Sequence, residues 1–504
     1  MDQQSTSLRN KTLSGVRWSA IARIVQQCLS FVTVVILAHL LSPTAFGLIG
    51  MVLVVTNFVD IFKDLGTSTV IVQRKEVSQE LMSSVFWTNL LFGICFTLVI
   101  VILAPIIGLF FCEPGITPIM RIMSISFIFS GLSVVPQALL IRKMNFRRLV
   151  FIENVSFLVG AGFGVGMALS GWGVWSLVMQ SLLRVVSMAI FLWLLNPMVP
   201  HGKLSGNSLK SIASYSLNLS GFNLLNYFIR NADNMLIGRY LGSTSLGFYS
   251  LAYKWMLLPI YYISGIVGNV FFSTFSKIQD DNPTFSRVYL RLCASIGLVT
   301  FPLFLGMMAL AKPLVFVALG PQWDVVVPLL MILSWVGLFQ SIGTTIGSIY
   351  LAKGRTDLML KWGLMACACY LVSFVIGLRW GVLGVALCYS VCALILFYPS
   401  LIIPFHLIGL RFTEFGRAMI PVFSIGVSML ALIKIGLLGL ERMGFTEPWV
   451  QLAVGMLLGG SSYLIFVLKF QRNVLNEFLA LLPTGRFWNP ASKWEGNSPG
   501  SSVS

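Results

Sequence analysis

The chain repeats itself at a separation of about 200 residues, and most of each repeat is apolar. Three pairs of segments carry the repeat: residues 37–47 with 237–247, 142–145 with 352–355, and 172–174 with 380–382. In the first pair, the recurring residues are Leu41, Thr44 and Gly47, which return as Leu241, Thr244 and Gly247. Duplicated apolar helices around a site near the middle of the membrane are typical of carriers that alternate their access. The repeat therefore indicates transport.

The apolar segments are long enough to cross a membrane. Hydrophobic residues make up 57% of the chain and charged residues 10%, which excludes a soluble globular protein. Because the hydrocarbon core of a bilayer is about 30 Å thick, a spanning helix needs roughly 20 apolar residues. By this measure the sequence predicts an all-α polytopic membrane protein with about 14 transmembrane helices. The predicted spans cover residues 16–38, 45–65, 84–111, 117–139, 150–170, 172–196, 212–238, 245–271, 290–311, 325–351, 359–378, 382–405, 417–440 and 448–469.

Basic residues near the span ends predict the orientation of the chain. With both termini in the cytoplasm, most lysines and arginines fall on the cytoplasmic side, as the positive-inside rule requires. The basic residues that fall on the outer side are Arg239, Lys312, Arg379 and Arg442. The same bias accounts for much of the net charge of +17, so nucleic-acid binding is not expected.

The repeat divides the predicted spans into two lobes. Both lobes begin on the cytoplasmic side and contain an even number of spans, so they are parallel repeats. The sequence predicts a cytoplasmic N-terminal segment at 1–15, an N-lobe (spans 1–6) at 16–196, a cytoplasmic linker at 197–211, a C-lobe (spans 7–12) at 212–407, two additional helices (spans 13 and 14) at 408–470, and a cytoplasmic tail at 471–504. Within the tail, residues 473–482 are a candidate surface helix.

Signatures of enzymes are absent from the sequence. It contains no GxxxxGK[ST] loop, which argues against a built-in ATP motor, and its three histidines are dispersed at or near span ends. The segments between predicted spans are too short to hold a folded catalytic domain. The eight cysteines are interpreted as small packing residues in preference to metal ligands or redox groups. We therefore expect no catalytic residue, no metal site and no cofactor.

Polar and charged residues inside the predicted spans are the candidate substrate-binding residues. Each buried charge costs on the order of a few kcal/mol to insert, so each needs a compensating role. In spans 1, 2, 7 and 8 the polar positions recur at helical spacing and share one face of each helix. The candidates are Arg17, Arg23 and Gln27 in span 1, Asn57 in span 2, Asn223, Asn226 and Arg230 in span 7, and Lys254 in span 8. We infer that these faces line a water-accessible cavity between the lobes.

The excess of arginine predicts an anionic cargo, because guanidinium groups bind phosphate oxygens with two parallel hydrogen bonds. Structural roles remain open for several of the charges. Arg17 lies close to the inner interface and could extend to lipid headgroups. Arg230 and Asp233 are one turn apart and could neutralise each other. Asp60 could pair with Arg23 or Lys63, and Asp60 and Asp233 are also candidates for ion coupling.

Two stretches and the basic first helix resemble a known family. Residues 41–47 read Leu-Ser-Pro-Thr-Ala-Phe-Gly, and residues 233–242 read Asp-Asn-Met-Leu-Ile-Gly-Arg-Tyr-Leu-Gly. They resemble polysaccharide-export members of the MOP flippase superfamily, above all the Wzx-type flippases of the colanic-acid and exopolysaccharide branch. The resemblance covers residues 8–468, nearly the whole chain.

This resemblance implies a two-lobed bundle in the bacterial inner membrane. It implies that the cargo is an undecaprenyl-diphosphate-linked oligosaccharide repeat unit, flipped by alternating access for exopolysaccharide or lipopolysaccharide biosynthesis. The expected partners are this lipid-linked oligosaccharide and the bilayer, with a polysaccharide polymerase and glycosyltransferases as further candidates. By the same resemblance, spans 13 and 14 are a candidate groove for the lipid tail.

Two other classes of protein remain as alternatives. A multidrug exporter of the same superfamily would favour hydrophobic cations and a more acidic cavity, and the arginines argue against it. A membrane-embedded polymerase or transferase would need a large outer loop, which the sequence lacks.

Overall fold

The computed structural model describes residues 23, 25–64, 71–72, 78–196, 227, 230–260, 275 and 277–481. Within these residues all regular secondary structure is helical. The helices are α1 (Val25–Leu40), α2 (Pro43–Asp64), α3 (Gln79–Phe111), α4 (Ile116–Ser124), α5 (Ser126–Arg142), α6 (Phe146–Leu169), α7 (Val174–Leu195), α8 (230–260), α9 (Asn282–Ala309), α10 (Ala311–Ala318), α11 (Val326–Ala352), α12 (Thr356–Gly377), α13 (Gly381–Ile408), α14 (Phe412–Arg442), α15 (Pro448–Phe470) and α16 (Arg472–Leu481).

Most of these helices have the length and composition of membrane spans. Nine helical segments of the described chain are long and apolar enough to cross a bilayer, and α1 and α2 contain shorter apolar stretches. The predicted class, an all-α polytopic membrane protein, is confirmed. The helices α14 and α15 correspond to the additional spans 13 and 14, and α16 forms where the sequence predicts a tail helix.

The fourth predicted span contains a break that the sequence analysis does not predict. Helix α4 ends at Ser124 and α5 begins at Ser126. The Thr97 hydroxyl of α3 donates a hydrogen bond to the Ser124 carbonyl oxygen at 2.8 Å. At the same place the Ile125 amide bonds to the carbonyl of Ile122, three residues back. The Thr97 hydroxyl of the neighbouring helix therefore occupies the Ser124 carbonyl oxygen, and the regular α-helical hydrogen-bond pattern is interrupted there.

The backbone confirms the repeat at two of its three segment pairs. Gly173 precedes α7 with φ +56°, and Gly381, at the start of α13, has φ +69°. Met144 follows α5 with φ +51°, and Gly354 follows α11 with φ +64°. Positive φ is uncommon for a residue with a side chain such as Met144, and the turns at equivalent positions of the two repeats share this backbone conformation.

The basic turns after α5 and α11 also use their cations in the same way. In both turns a long side chain donates to a backbone carbonyl in the segment between the second and third spans of its repeat. These bonds join the Arg142 guanidinium to the carbonyl of Ile71, at 2.8 Å, and the Lys353 ammonium to the carbonyl of Gln279. The basic turns therefore tie neighbouring segments together within each repeat.

Two compact units make up the described chain. The first contains the described residues up to Ala252, together with Ala318–Leu329 and Cys369–Tyr389. The second contains those from Tyr253 to Val317, Leu330–Ala368, and the residues from Ser390 onward. The predicted linker at 197–211 lies outside the described residues, so the predicted lobe boundaries stay predictions.

Candidate functional site: an arginine cluster and a junction of turns

The structure describes only some of the predicted substrate-binding residues. Arg17, Asn223 and Asn226 lie outside the described residues, and for Asp60 only the helical backbone is described. Gln27 is half-buried. The exposed candidates are Arg23, Asn57, Arg230 and Lys254. The predicted cavity between the lobes stays a prediction.

A carboxylate that the sequence analysis does not single out lies near Arg23. Glu153, in α6, lies within electrostatic range of Arg23 of the first span and of Arg184 of α7. Glu153 is half-buried, and Arg184 is exposed. We call Arg23, Glu153 and Arg184 the arginine cluster. It has one carboxylate for two guanidinium groups, so it carries an excess of one positive charge. The signal in the sequence was a lone glutamate inside an apolar span.

Glycines position the arginine cluster by bringing α6 and α7 together. A Cβ atom added to Gly160 would lie 2.5 Å from the carbonyl oxygen of Gln180 and 3.0 Å from Cβ of Arg184. One added to Gly164 would lie 2.8 Å from Cβ of Gln180. Small residues at this spacing allow the backbones of membrane helices to approach closely. The Arg184 guanidinium then lies over the ring of Phe157, 5.6 Å from its centroid.

Asp233 is buried, and its partners differ from the predicted one. Its carboxylate accepts a hydrogen bond from the Tyr249 hydroxyl at 2.9 Å and one from the Asn234 amide at 2.7 Å. Arg230, which the sequence makes a candidate partner, is exposed. The hydrogen bonds of Asp233 therefore hold α8 together on both sides of Gly242, where the backbone has φ +80°.

The first pair of repeated segments meets in space. The Thr44 and Thr244 hydroxyls are hydrogen bonded at 2.9 Å. Any Cβ atom at Gly47 would overlap the carbonyl of Ser243, and one at Gly247 would overlap the carbonyl of Pro43. Equivalent residues of the two repeats therefore face each other across a local twofold relation. We call this contact, with the neighbouring turns that pack on it, the turn junction.

Two other turns complete the turn junction. From the turn after α3, Glu113 accepts a hydrogen bond from the Ser243 hydroxyl at 2.5 Å. From the turn before α11, the Trp323 indole donates to the carbonyl of Ala38 at 3.0 Å and packs edge-on against Phe46 and Phe248, with ring centroids 5.2 and 5.9 Å away. The junction is therefore held by neutral hydrogen bonds, one carboxylate and close packing.

Further along, α2 contacts the residues that precede α8. The Tyr227 hydroxyl donates a hydrogen bond to the carbonyl of Val54, and its ring lies 5.9 Å from that of Phe58. The helices on which the sequence predicts polar faces, spans 1, 2, 7 and 8, thus come together in the described part of the chain at the turn junction and along α2. Repeated membrane helices of this kind are typical of carriers.

Comparison with known proteins identifies the family. The model of the family described as "Polysaccharide biosynthesis protein" matches residues 36–328. The lipopolysaccharide biosynthesis protein WzxC of Escherichia coli (strain K12) is 30% identical over 76% of this chain and 78% of its own length. The teichuronic acid biosynthesis protein TuaB of Bacillus subtilis (strain 168) is 26% identical over 92% of this chain and 96% of its own. The chain belongs to this polysaccharide biosynthesis family.

Solved structures agree on the fold. The lipid II flippase MurJ, in an inward closed conformation, superposes with a TM-score of 0.73 at 15% identity, covering 91% of this chain and 99% of its own. An inward-facing MATE multidrug transporter of the MOP superfamily has a TM-score of 0.61 at 14% identity, covering 77% and 98%. The resemblance found in the sequence is confirmed, and the chain is a multi-pass membrane transporter rather than an enzyme.

Proposed function

We propose that the protein flips an undecaprenyl-diphosphate-linked oligosaccharide repeat unit from the inner to the outer leaflet of the bacterial cytoplasmic membrane. The relatives support this cargo class, since one is named for lipopolysaccharide biosynthesis and another, ExoT of Rhizobium meliloti (strain 1021), for succinoglycan biosynthesis transport. The observation that carries the proposal is the arginine cluster, which keeps a net positive charge on the helices of a transporter fold. A diphosphate is the charged part of such a lipid.

In this proposal the diphosphate is held by arginines and the glycan by amides. Arg23 makes the main contact, assisted by Arg17 and Arg230, because guanidinium groups bind phosphate oxygens in pairs. Lys254 adds a further cation. The amide side chains Gln27, Asn57, Asn223 and Asn226 provide the donors and acceptors that sugar hydroxyls require.

The lobes then rock and expose the cargo on the other side of the membrane. Asp60 and Asp233 are the candidates for coupling this motion to a proton or sodium gradient. Flipping that continues unchanged when ionophores collapse both gradients would remove this coupling role. Both termini lie in the cytoplasm, where glycosyltransferases supply the repeat unit, and a polysaccharide polymerase receives it on the other side.

The test is flipping in proteoliposomes, with an undecaprenyl-diphosphate oligosaccharide and lectin access to one leaflet. We expect the glycan to appear in the opposite leaflet only when protein is present, with no change in chain length. A lengthened glycan would indicate a polymerase. No flipping of several glycans by folded protein, together with export of hydrophobic cations, would indicate a multidrug exporter.

Arg23 variants test the binding role. A hydrogen bond to a charged group contributes about 1.5–3 kcal/mol, so Arg23→Ala should slow flipping by about tenfold or more. Arg23→Lys keeps the charge but loses the paired geometry and should fall between that variant and the wild type. Arg379→Ala, an exposed arginine in the turn before α13, is the matched control and should flip at the wild-type rate. Wild-type rates in correctly inserted Arg23→Ala would refute the role.

A further inference from the structure

Arg239 is a cation on the predicted outer side of the membrane, and the proposed transport gives it no role. The positive-inside rule disfavours basic residues on that side. The adjacent Gly238 packs tightly, since an added Cβ atom would lie 3.1 Å from the Phe111 ring and 3.3 Å from the Met51 side chain. Helix α8 is therefore fixed against α2 and α3 beside Arg239.

Two aromatic rings, one from α3 and one from α8, hold the guanidinium group of Arg239. Its central carbon lies 5.8 Å from the centroid of the Phe110 ring and 5.7 Å from that of the Tyr240 ring. Both distances are within the range of cation–π contacts. Arg239 is half-buried, whereas Phe110 and Tyr240 are exposed. The rings therefore hold the cation at the surface of the protein.

The hydrogen bond that Arg239 makes does not neutralise its charge. The guanidinium donates to the Cys112 sulfur, and a thiol is a weak acceptor without charge. The neighbouring carboxylate, Glu113, accepts hydrogen bonds from the hydroxyl and the amide of Ser243 instead. Within the described residues, Arg239 thus contacts a thiol and two rings, and no ion pair joins it to a carboxylate.

An exposed apolar stripe on α3 leads from this cation into the membrane. Ile102, Ile106 and Leu109 are spaced four and three residues apart, so they share one face of the helix. Their exposed fractions lie between 60% and 77%. Phe110, which contacts Arg239, follows the stripe directly. A cation at the end of an exposed apolar stripe matches a lipid with an anionic headgroup.

We propose that Arg239, Phe110 and Tyr240 form a binding site for the diphosphate of the flipped cargo lipid in the outer leaflet. This inference rests on the proposed function. Diphosphate oxygens accept charge-assisted hydrogen bonds from a guanidinium group, which a thiol cannot match. The two rings and Cys112 are exposed while the turn junction is formed, so the site is open to the outer leaflet in that state. The site holds the delivered headgroup outside the junction and so opposes its return.

The test uses Cys112 as a native reporter of the site. The full-length protein is placed in phosphatidylcholine nanodiscs, and the reaction of N-ethylmaleimide with Cys112 is followed by peptide mass spectrometry. The probes are undecaprenyl diphosphate, undecaprenol and phosphatidylglycerol. We expect saturating undecaprenyl diphosphate to slow the reaction about tenfold, because the bound headgroup covers the exposed thiol. Undecaprenol and phosphatidylglycerol should leave the rate unchanged.

Arg239 variants show whether the guanidinium group causes this protection. Each variant is compared with its own rate without lipid, because the substitution also changes the surroundings of the thiol. Arg239→Ala should need about tenfold more undecaprenyl diphosphate for half protection, and Arg239→Lys should lie between that variant and the wild type. Arg379→Ala, an exposed arginine that is also on the predicted outer side, is the matched control and should behave as the wild type.

Three results would overturn the inference: no protection of Cys112 in the wild type, wild-type protection in Arg239→Ala, or equal protection by phosphatidylglycerol. The last would mean a general site for anionic headgroups. If Arg239→Ala does not fold, Tyr240→Leu takes its place, since Tyr240 is exposed. Loss of one ring should raise the lipid concentration for half protection about threefold, and an unchanged concentration would contradict the inference.

Failure of the proposed function looks different from failure of this inference. If the proposed function is wrong, the wild type does not flip the lipid-linked oligosaccharide in proteoliposomes. If only the inference is wrong, the wild type flips the oligosaccharide, and undecaprenyl diphosphate protects Cys112 equally in Arg239→Ala and the wild type, or in neither.

Discussion

The turn junction and the arginine cluster use the same packing device for opposite purposes. In both, glycines allow helices to approach so closely that an added Cβ atom would meet a backbone carbonyl oxygen, at Gly47 and Gly247 in one and at Gly160 in the other. At the junction the polar groups that meet are neutral or paired, as in the bond between Thr44 and Thr244. In the cluster they carry an excess of positive charge.

Under the proposed function, this difference assigns cargo binding to the arginine cluster and makes the turn junction a candidate gate. A contact in which hydroxyl and carbonyl groups satisfy each other's hydrogen-bonding needs does not require a ligand, and it can form or separate as one unit. A cluster with more guanidinium than carboxylate groups in a membrane span remains incompletely neutralised until an anion arrives. The junction joins the two repeats, and the cluster lies within spans of the first repeat. Substitutions at the two regions should therefore affect transport in different ways.

The largest effect is expected from covalent closure of the turn junction. Cys112, whose sulfur accepts a hydrogen bond from Arg239 beside the junction, is first replaced by serine so that it does not react with introduced cysteines. The Thr44 and Thr244 hydroxyls are 2.9 Å apart, so cysteines introduced at both positions are close enough to form a disulfide bond. Oxidation of Thr44→Cys/Thr244→Cys should abolish flipping in proteoliposomes, and reduction should restore it, because the two repeats can no longer separate there. Each single cysteine variant, oxidised in the same way, is the control. Full flipping by the cross-linked protein would show that the junction does not open during transport.

The next effect is expected from a single methyl group in the junction. Gly47→Ala overlaps the Ser243 carbonyl and should reduce the flipping rate about tenfold, since overpacking costs roughly 1–3 kcal/mol. Gly50→Ala, three residues along the same helix, would meet the Leu246 side chain at an ordinary 3.5 Å and is the matched control. Equal rates in both variants would contradict close packing at Gly47.

A smaller effect is expected where glycines position the arginine cluster. Gly160→Ala should destabilise the protein by about 1–3 kcal/mol, because its Cβ atom would press on Gln180 and Arg184. Gly162→Ala meets nothing within 4 Å and should leave the melting temperature unchanged or slightly higher. The measurement is thermal unfolding in detergent. Diphosphate binding should weaken only in Gly160→Ala, and a loss in both variants would mean that the packing of α6 on α7 is not the cause.

The smallest effect is expected at the edge of the turn junction. Glu113→Ala removes the acceptor for the Ser243 hydroxyl and should cost about 0.5–1.5 kcal/mol, which is the usual net contribution of one hydrogen bond. Glu113→Gln keeps an acceptor oxygen and should cost less. Thermal unfolding of the two variants beside the wild type checks the order. An effect as large as that of Gly47→Ala would mean that this carboxylate, and not close packing, holds the junction.

The sequence alone predicted the fold class because span length, the positive-inside bias and the repeat are properties of local composition. The duplicated turns were visible as pairs of short motifs, and the backbone reproduces them at Gly173 and Gly381. The break between α4 and α5 was not predictable, since its cause is the Thr97 hydroxyl on another helix.

The candidate site was only partly predictable from the sequence. Arg23 stood out because a charged residue in an apolar span is costly to insert into the membrane. Glu153 and Arg184 are similarly costly to insert. What a single sequence does not show is that these two lie on touching faces of α6 and α7. Nor does it show that, of the four glycines at positions 160, 162, 164 and 166, Gly160 and Gly164 pack against α7 while Gly162 and Gly166 face open space.

The sequence by itself determined that this protein is a duplicated membrane carrier with cations inside its spans. Those properties follow from hydropathy and charge, which each segment carries wherever it lies. Only the tertiary structure decided which residues meet. Thr44 pairs with Thr244, and Asp233 pairs with Tyr249 rather than with Arg230, its neighbour one turn away. Partner choice depends on which helix faces are in contact, and packing between distant segments sets those faces.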